Sequence, residues 1–517
     1  MTADSHDLAQ SLARTSGKYD ALPYESLPTA LSHPARIAAI ACLFGLEPPA
    51  VERARVLELG CAAGGNVIPF AAFHPEAEVL GIDIGKRQVE AGQQRIAALG
   101  LANAQLRHAS ITELPDDLGQ FDYIVCHGVY SWVPEPVREA ILAACERLLA
   151  PTGVAMISYN VLPGWRMFQP LRDAFRTILP PGLDEASRAR AARQFIAYAG
   201  AMTPSQNAYA NLLRQASARL APLADTYLFH EYLEEVNEPC TLADFAAAAG
   251  RHRLGYLGDC NLGSMFAENH GGEFATQLHR GARGDILSVE QMLDILTGRT
   301  FRMSLLVRAD QFARIDRSIT PGRLEGLHFL PSEELRFVRE GDRARITGNQ
   351  GLEVEYEDEA VIALRDRLFA QPPRSLSFDE ISGRCPTAEE RAATVSRLFR
   401  MVTGGVLVAS SLPMPCAPAG ERPLANPLAR GDAAAGEAFT ATRRHTGVEL
   451  TGLTRFVVPL LDGTRSRAEL ADLLAAAARE GRIAIRGQDE GEPAPQDLPA
   501  IAAALIAQEL DRISALG

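Results

Sequence analysis

Between residues 55 and 159 the chain alternates short apolar runs with longer helical segments, and few folds tolerate that alternation. The runs are Arg55 to Gly60 (RVLELG), Ala77 to Asp83 (AEVLGID), Ala104 to His108 (AQLRH), Phe121 to Cys126 (FDYIVC) and Gly153 to Tyr159 (GVAMISY). Several are apolar almost throughout rather than at alternate positions, which is the mark of strands buried on both faces. The order predicts an α/β fold, a parallel sheet with helices on each side. Ahead of the first strand, Ser32 as N-cap and Pro34 in the first turn predict a helix running to Phe44.

After Tyr159 the pattern breaks. Residues 166–222 are rich in Ala and Arg and read as helices without strands, an insertion. The Arg-rich part of it, 187–195, reads as a solvated helix face. A helix from Thr241 to His252 then leads into RLGYLGDC (253–260), and FRMSLLVR (301–308) is a further apolar strand. A five-stranded sheet alone would expose an apolar edge, so these two segments are expected to complete it as a final antiparallel pair.

From about residue 311 a different pattern begins. Glu359 to Phe369 reads as a helix, Ser377 caps a second, and Thr387 with Glu390 forms a capping box for a third, which ends before the strand GGVLVAS. That order predicts a winged helix. A Pro-rich linker from residue 413 precedes a second helical unit in which Ser466 and Glu469 repeat the capping box. The expected division is 1–165, a cofactor-binding domain; 166–310, the insertion with the last strands; 311–412, a winged-helix-like domain; and 413–517, a linker with a second such unit.

Two features bound the function. The first 20 residues carry no basic stretch followed by an apolar one, and no run of 18 apolar residues occurs, so neither a signal peptide nor a membrane span is expected. The eight cysteines lie far apart with no Cys-x-x-Cys pair, which predicts neither disulfides nor zinc and points to the cytoplasm. The net charge is −13, a poor match for a phosphate polymer and a better one for a Lys-bearing protein.

The segment VLELGCAAGGNVIPFA sets Glu58, Gly60, Cys61, Ala62, Gly64, Gly65 and Asn66 at the turn between the first strand and the following helix. Glycine admits close approach of a ligand, and the helix N-terminus offers free N–H groups. The dinucleotide fingerprint G-x-G-x-x-G is absent. Asp83 ends the second strand, followed by Ile84, where a carboxylate can accept hydrogen bonds from both hydroxyls of a ribose; the alternative is a simple turn residue. The third strand end supplies Ser110 and Ile111 to an adenine, and the fourth places His127 and Gly128 beneath a methionine moiety.

ELGCAAGG, GIDIG and FDYIVCHGVYSWVP together resemble class I S-adenosylmethionine-dependent methyltransferases. GVYSWVP, SYNVLPGW and YLFHEYLEEVNEPC are similar to bacterial methyltransferases with a regulatory domain, a group that includes the rickettsial outer-membrane-protein lysine methyltransferases. The likeness covers roughly residues 15–310. It implies a Rossmann-like sheet with a helical middle domain and a winged-helix C-terminal region, S-adenosylmethionine as cofactor with S-adenosylhomocysteine as product, and a lid formed by KYDALPYESLP, with Tyr19 and Tyr24. Ser110 stands where many relatives have an acidic residue. CHGVYSW replaces the D/N-P-P-Y/F of DNA adenine methyltransferases.

Methyl transfer from a sulfonium requires an oriented, unprotonated nucleophile and no metal. The candidates for that work project from strand ends: Tyr130 and Trp132 after the fourth strand, Tyr159, Asn160 and Trp165 after the fifth. Both tryptophans of the chain fall here. Each alone could brace a loop, while together with the tyrosines they suggest an aromatic channel for a substrate cation. The leading expectation is a protein-lysine methyltransferase. A small-molecule methyltransferase is the second reading, and the third is a regulator acting through winged helices on DNA. Residues 311–517 hold 25 basic against 30 acidic residues, so no nucleic-acid partner is expected; protein docking or homodimerisation is the expected use of these domains.

Overall fold

The computed structural model describes Gly17 and residues 26–180, 182–204, 206–332, 335–340, 343–348, 353–356, 362, 366–368, 374–416, 419–485 and 496–514. Seven strands form one sheet: β1 (Arg55–Leu59), β2 (Glu78–Asp83), β3 (Ala104–His108), β4 (Phe121–Cys126), β5 (Leu149–Asn160), β6 (Leu254–Asp259) and β7 (Phe301–Arg308), in the order β3-β2-β1-β4-β5-β7-β6. The first five are parallel. β7 runs antiparallel to both β5 and β6, pairing Asn160 with Phe301 and Leu254 with Arg308. The final pair is therefore where the exposed-edge argument places it.

Helices cover both faces. α1 (Pro34–Leu43) and α2 (Val67–Phe73) bury Ile37, Leu43 and Phe70 in a core that reaches Val56 and Val125 on the sheet, while α3 (Lys86–Leu99) adds Val89 and Ile96. α4 (Glu135–Leu148) buries Ile141 and Leu142 on the other face. The N-cap of α1 is His33, not Ser32. Pro34 has no N–H, so the first donor needing a partner is that of Ala35, which His33 Nδ1 accepts at 3.0 Å; the Ser32 hydroxyl donates to the Thr29 carbonyl instead.

Between β5 and β6 the chain builds α5 (Gln169–Ile178), α6 (Glu185–Met202), α7 (Ala208–Leu220) and α8 (Asp225–Tyr232), whose apolar faces meet around Leu171, Phe175, Ile196 and Phe229. α9 (Leu242–Arg251), capped by Thr241, returns Phe245 to the sheet. α10 (Gly272–Gly281) and α11 (Ile286–Thr297) precede β7. Among the described residues no helix is long and apolar enough to cross a membrane.

Further on, β8 (His328–Pro331) is followed by a three-stranded meander, β9 (Leu335–Glu340), β10 (Arg343–Gly348) and β11 (Glu353–Tyr356), which the helical reading did not anticipate. β8 lies between β12 (Leu376–Ser377) and β13 (Leu407–Ser410), against α12 (Phe378–Ser382) and α13 (Ala388–Thr403). Ser377 and Glu380 form a full capping box, and Thr387 accepts the Glu390 N–H. The helix expected from Glu359 to Phe369 lies largely outside the described residues. The last unit contains α14 (Pro427–Ala435), the hairpin β14 (Phe439–Ala441) and β15 (Gly447–Glu449), α15 (Gly452–Val457), α16 (Arg467–Arg479) and α17 (Leu498–Arg512), with the Ser466–Glu469 box in place. It rests on the sheet domain. Arg95 of α3 forks onto both oxygens of the buried Asp432 at 2.8 and 2.7 Å, and the His445 ring meets that of His33 edge-on at 5.0 Å.

Candidate active site

β1 and β4 are neighbours, and the chain leaves them toward opposite edges of the sheet. In open α/β sheets such a reversal opens a crevice beyond the carboxyl ends of the strands. A cavity lies there, with walls from the turns after β1, β2, β3 and β4.

The turn after β1 is fixed by sterics. Gly60 has φ +79°, and a Cβ there would stand 2.3 Å from Val129 Cγ2; Ala62 is also left-handed, at φ 49°. Gly60, Cys61, Ala62 and Asn66 line the cavity, whereas Gly64, at φ 83°, shapes the turn without reaching the wall. Asp83 ties two turns together: one oxygen accepts the Ala62 N–H at 2.8 Å and the other that of Gly85 at 2.7 Å. It is thus both a turn residue and a pocket residue. Burial raises its pKa, and the two N–H bonds oppose that rise.

Glu58 ends deep in the cavity. Its Oε1 accepts from Asn66 Nδ2 at 2.7 Å, while Oε2 is buried with no partner. Burial pushes its pKa up to about 7, with the nearby Asp83 charge adding to the rise and the Asn66 bond opposing it. His127 Nδ1 is likewise buried and unpaired, and desolvation lowers that ring to about 4, so it is neutral at physiological pH. Gly128, at φ 72°, donates to Ser158 Oγ at 2.7 Å. An unsatisfied carboxylate oxygen of Glu58 and the Asp83 carboxylate on the same cavity wall suit a ligand with an ammonium group and a diol, which S-adenosylmethionine has.

Ser110, Ile111, Ile84 and Ala109 add the flank beyond β3. Ser110 Oγ caps the following turn by accepting the Thr112 N–H at 3.3 Å. Sequence reasoning missed several walls: Ser26 and Leu27, Gln88, Val129, Val133, Pro134 and Val137, and His230 with Glu231 from α8. Ser26 also accepts the Gly65 N–H at 2.8 Å, laying the segment before α1 across the glycine turn. Tyr19 and Tyr24 lie outside the described residues.

The expected aromatic channel is not assembled. Of its five members only Trp132 lines the cavity. Tyr159 is buried, stacked on Phe245 at 4.3 Å with its hydroxyl 3.0 Å from Ser304 Oγ; Tyr130 packs edge-on against the same ring, and the Asn160 side chain is buried beside them. The reason is β5's position. With β7 and β6 beyond it, β5 is an internal strand, so its carboxyl end is covered. Trp165 belongs to the core of the inserted helices, where its Nε1 donates to Asn237 Oδ1 at 2.7 Å and its ring meets Trp132 edge-on at 6.1 Å.

The fold and this cavity define a class I S-adenosylmethionine-dependent methyltransferase. Residues 56–153 match the family described as "Methyltransferase domain", 224–308 the "Predicted methyltransferase regulatory domain", and 421–517 the "PKMT, C-terminal winged helix domain". The chain belongs to the same family as an uncharacterized Rickettsia prowazekii protein that is 38% identical over 226 residues, 42% of this chain and 88% of that one. A second protein of that organism is 39% identical over 336 residues, 62% of this chain; the chain spans 59% of its length. PKMT2 from Rickettsia typhi, solved in complex with AdoHcy, superposes with a TM-score of 0.83 at 26% identity, covering 96% of this chain and 99% of that one.

Proposed function

We propose that the protein transfers the methyl group of S-adenosylmethionine to lysine side chains of a protein substrate in the cytoplasm. One observation carries the reading: the likeness to PKMT2 runs through nearly the whole chain, including the inserted helices that wall the cavity opposite the cofactor turns. In this reading Asp83 receives the ribose hydroxyls, Ser110 and Ile111 flank the adenine, and Glu58 receives the ammonium of the methionine moiety, with His127 and Gly128 beneath it. The bound cofactor supplies an electrophilic methyl group. The test is to incubate the protein with methyl-labelled cofactor and host lysate: label in the protein fraction supports the reading, and label confined to small molecules favours a metabolite acceptor.

Glu58 makes cofactor affinity pH-dependent. Its pKa is raised, and only the charged form attracts an ammonium group. Affinity is therefore full above pH 7 and falls by up to about tenfold per unit as the pH drops below the raised pKa. Calorimetric titrations between about pH 6 and about pH 8 check this, with a Glu58→Gln variant expected to lose the dependence.

Trp132 is the acceptor-side wall that remains from the proposed channel. Replacing it with Ala is expected to lower kcat/KM for the labelled protein by about tenfold or more with little change in cofactor affinity. A parallel loss of cofactor affinity would make Trp132 part of the cofactor site.

A further inference from the structure

Glu231 is the one carboxylate on the cavity wall that belongs to the inserted helices rather than to the sheet domain. Among the described residues its side chain has no hydrogen-bond or ion-pair partner. Its backbone, by contrast, is firmly held. The buried Arg172 of α5 donates to the carbonyls of Glu231 at 3.1 Å and Glu234 at 2.5 Å, and its guanidinium lies 5.9 Å from the Trp132 ring. Arg172 therefore fixes the end of α8 against the aromatic wall while spending its donors on carbonyls, not on the Glu231 carboxylate. A half-buried, unpaired carboxylate facing a cavity beside an indole is costly unless a cation or proton joins it.

We propose that Glu231 receives the ammonium group of the substrate lysine and takes its proton before methyl transfer. The inference rests on the lysine reading and adds a residue to it. An N–H bond of the ammonium breaks, and the proton passes to the Glu231 carboxylate. The freed lone pair then forms the N–C bond as the S–C bond breaks, the electron pair staying on sulfur. The proton later leaves Glu231 for water. The lysine stem lies along Trp132.

The surroundings favour this use. Burial raises the pKa of Glu231 to about 7, against the opposing charges of Arg172, Arg219 and His230, so the carboxylate is a far better proton acceptor than an ordinary one and still ionises near neutrality. Arg172 reaches it from α5, Arg219 from α7, and Tyr227, His230, Tyr232 and Glu234 share its own helix or the turn after it. The residue lies more than 100 positions beyond the last cofactor contact, which separates acceptor recognition from cofactor binding along the chain.

The test compares wild type with Glu231→Gln, using labelled cofactor and host lysate, then a library of short lysine peptides at saturating cofactor. The proposal expects label on lysine nitrogen, kcat/KM lowered about a hundredfold in the variant, loss of the acid limb of its pH profile, and cofactor Kd unchanged within about twofold. Lysine labelling with a wild-type rate and limb in the variant would overturn the role of Glu231 alone, as would a parallel loss of cofactor affinity. Label on oxygen or carbon would overturn both this role and the lysine reading. Should the Gln variant not fold, Glu231→Asp decides: a slower enzyme that keeps its acid limb supports the role, and an unchanged rate contradicts it.

Discussion

Replacing Arg302 by Met is expected to cost about 3–5 kcal/mol of stability, among the largest effects of any single substitution in the sheet domain. Arg302 sits on β7, fully buried, opposite Tyr159 in register. Its guanidinium forks onto Asp294, with both contacts at 2.8 Å, and reaches Glu290 Oε2 and the Tyr256 hydroxyl at 3.0 Å each; Tyr256 in turn donates to Glu290 at 2.7 Å. Glu290 and Asp294 both lie on α11 and are themselves fully buried, so removing the cation takes the ion-pair partner from Glu290 and leaves Asp294 only the Arg299 contact at 3.4 Å. Glu290 must then take up a proton or drag water inward. The network joins α11 to the antiparallel end of the sheet, and denaturant unfolding followed by tryptophan-independent circular dichroism reads the loss. Substituting Glu290 and Asp294 by Gln and Asn as well should recover part of it, because the uncompensated charge is then gone. A stability within about 1 kcal/mol of wild type for Arg302→Met would show that the network contributes only its packing.

The second large effect concerns Asp83→Ala. A charged acceptor that loses its hydrogen bonds costs about 1.5–3 kcal/mol, so S-adenosylmethionine should bind at least about tenfold more weakly. Asp83 also holds the N–H groups of Ala62 and Gly85, so the glycine turn should loosen with the carboxylate gone. Asp83→Asn separates the contributions: its amide keeps one acceptor and should retain part of the affinity. Calorimetry showing wild-type affinity for Asp83→Ala would remove the residue from the cofactor site.

The sheet was legible because its strands are apolar on both faces and its turns carry glycine where φ must be positive. The last two strands, separated from β5 by inserted helices, could be assigned because an apolar edge has to be covered. The turns that wall the cavity were legible for a related reason: Glu58 and Gly60 fall in one local strand-turn-helix unit, and Asp83 ends the strand that follows it. The proposed acceptor wall was not. Tyr159 and Asn160 look like ligand contacts at a strand end until β7 and α9 close over them, and that closure is a long-range event. Glu231 is invisible for the converse reason. It sits in the last turn of a helix in an inserted segment, and only its place within HEYLEE, a phrase that carries the resemblance and no chemistry, could have marked it. The meander β9 to β11 escaped because LRFVRE and RARITG alternate charged with apolar residues over too few positions to outweigh a helical reading of their neighbours.

The central claim is tested most directly by finding where the methyl group goes. Purified protein, methyl-labelled S-adenosylmethionine and host lysate are combined, the labelled proteins are digested, and the modified peptides are read by mass spectrometry. The account predicts the label on the ε-nitrogen of lysine in one or a few proteins, lowered about tenfold or more when Asp83→Ala replaces the wild type at low cofactor concentration. Label recovered only in a metabolite, or on a side chain other than lysine, would contradict it.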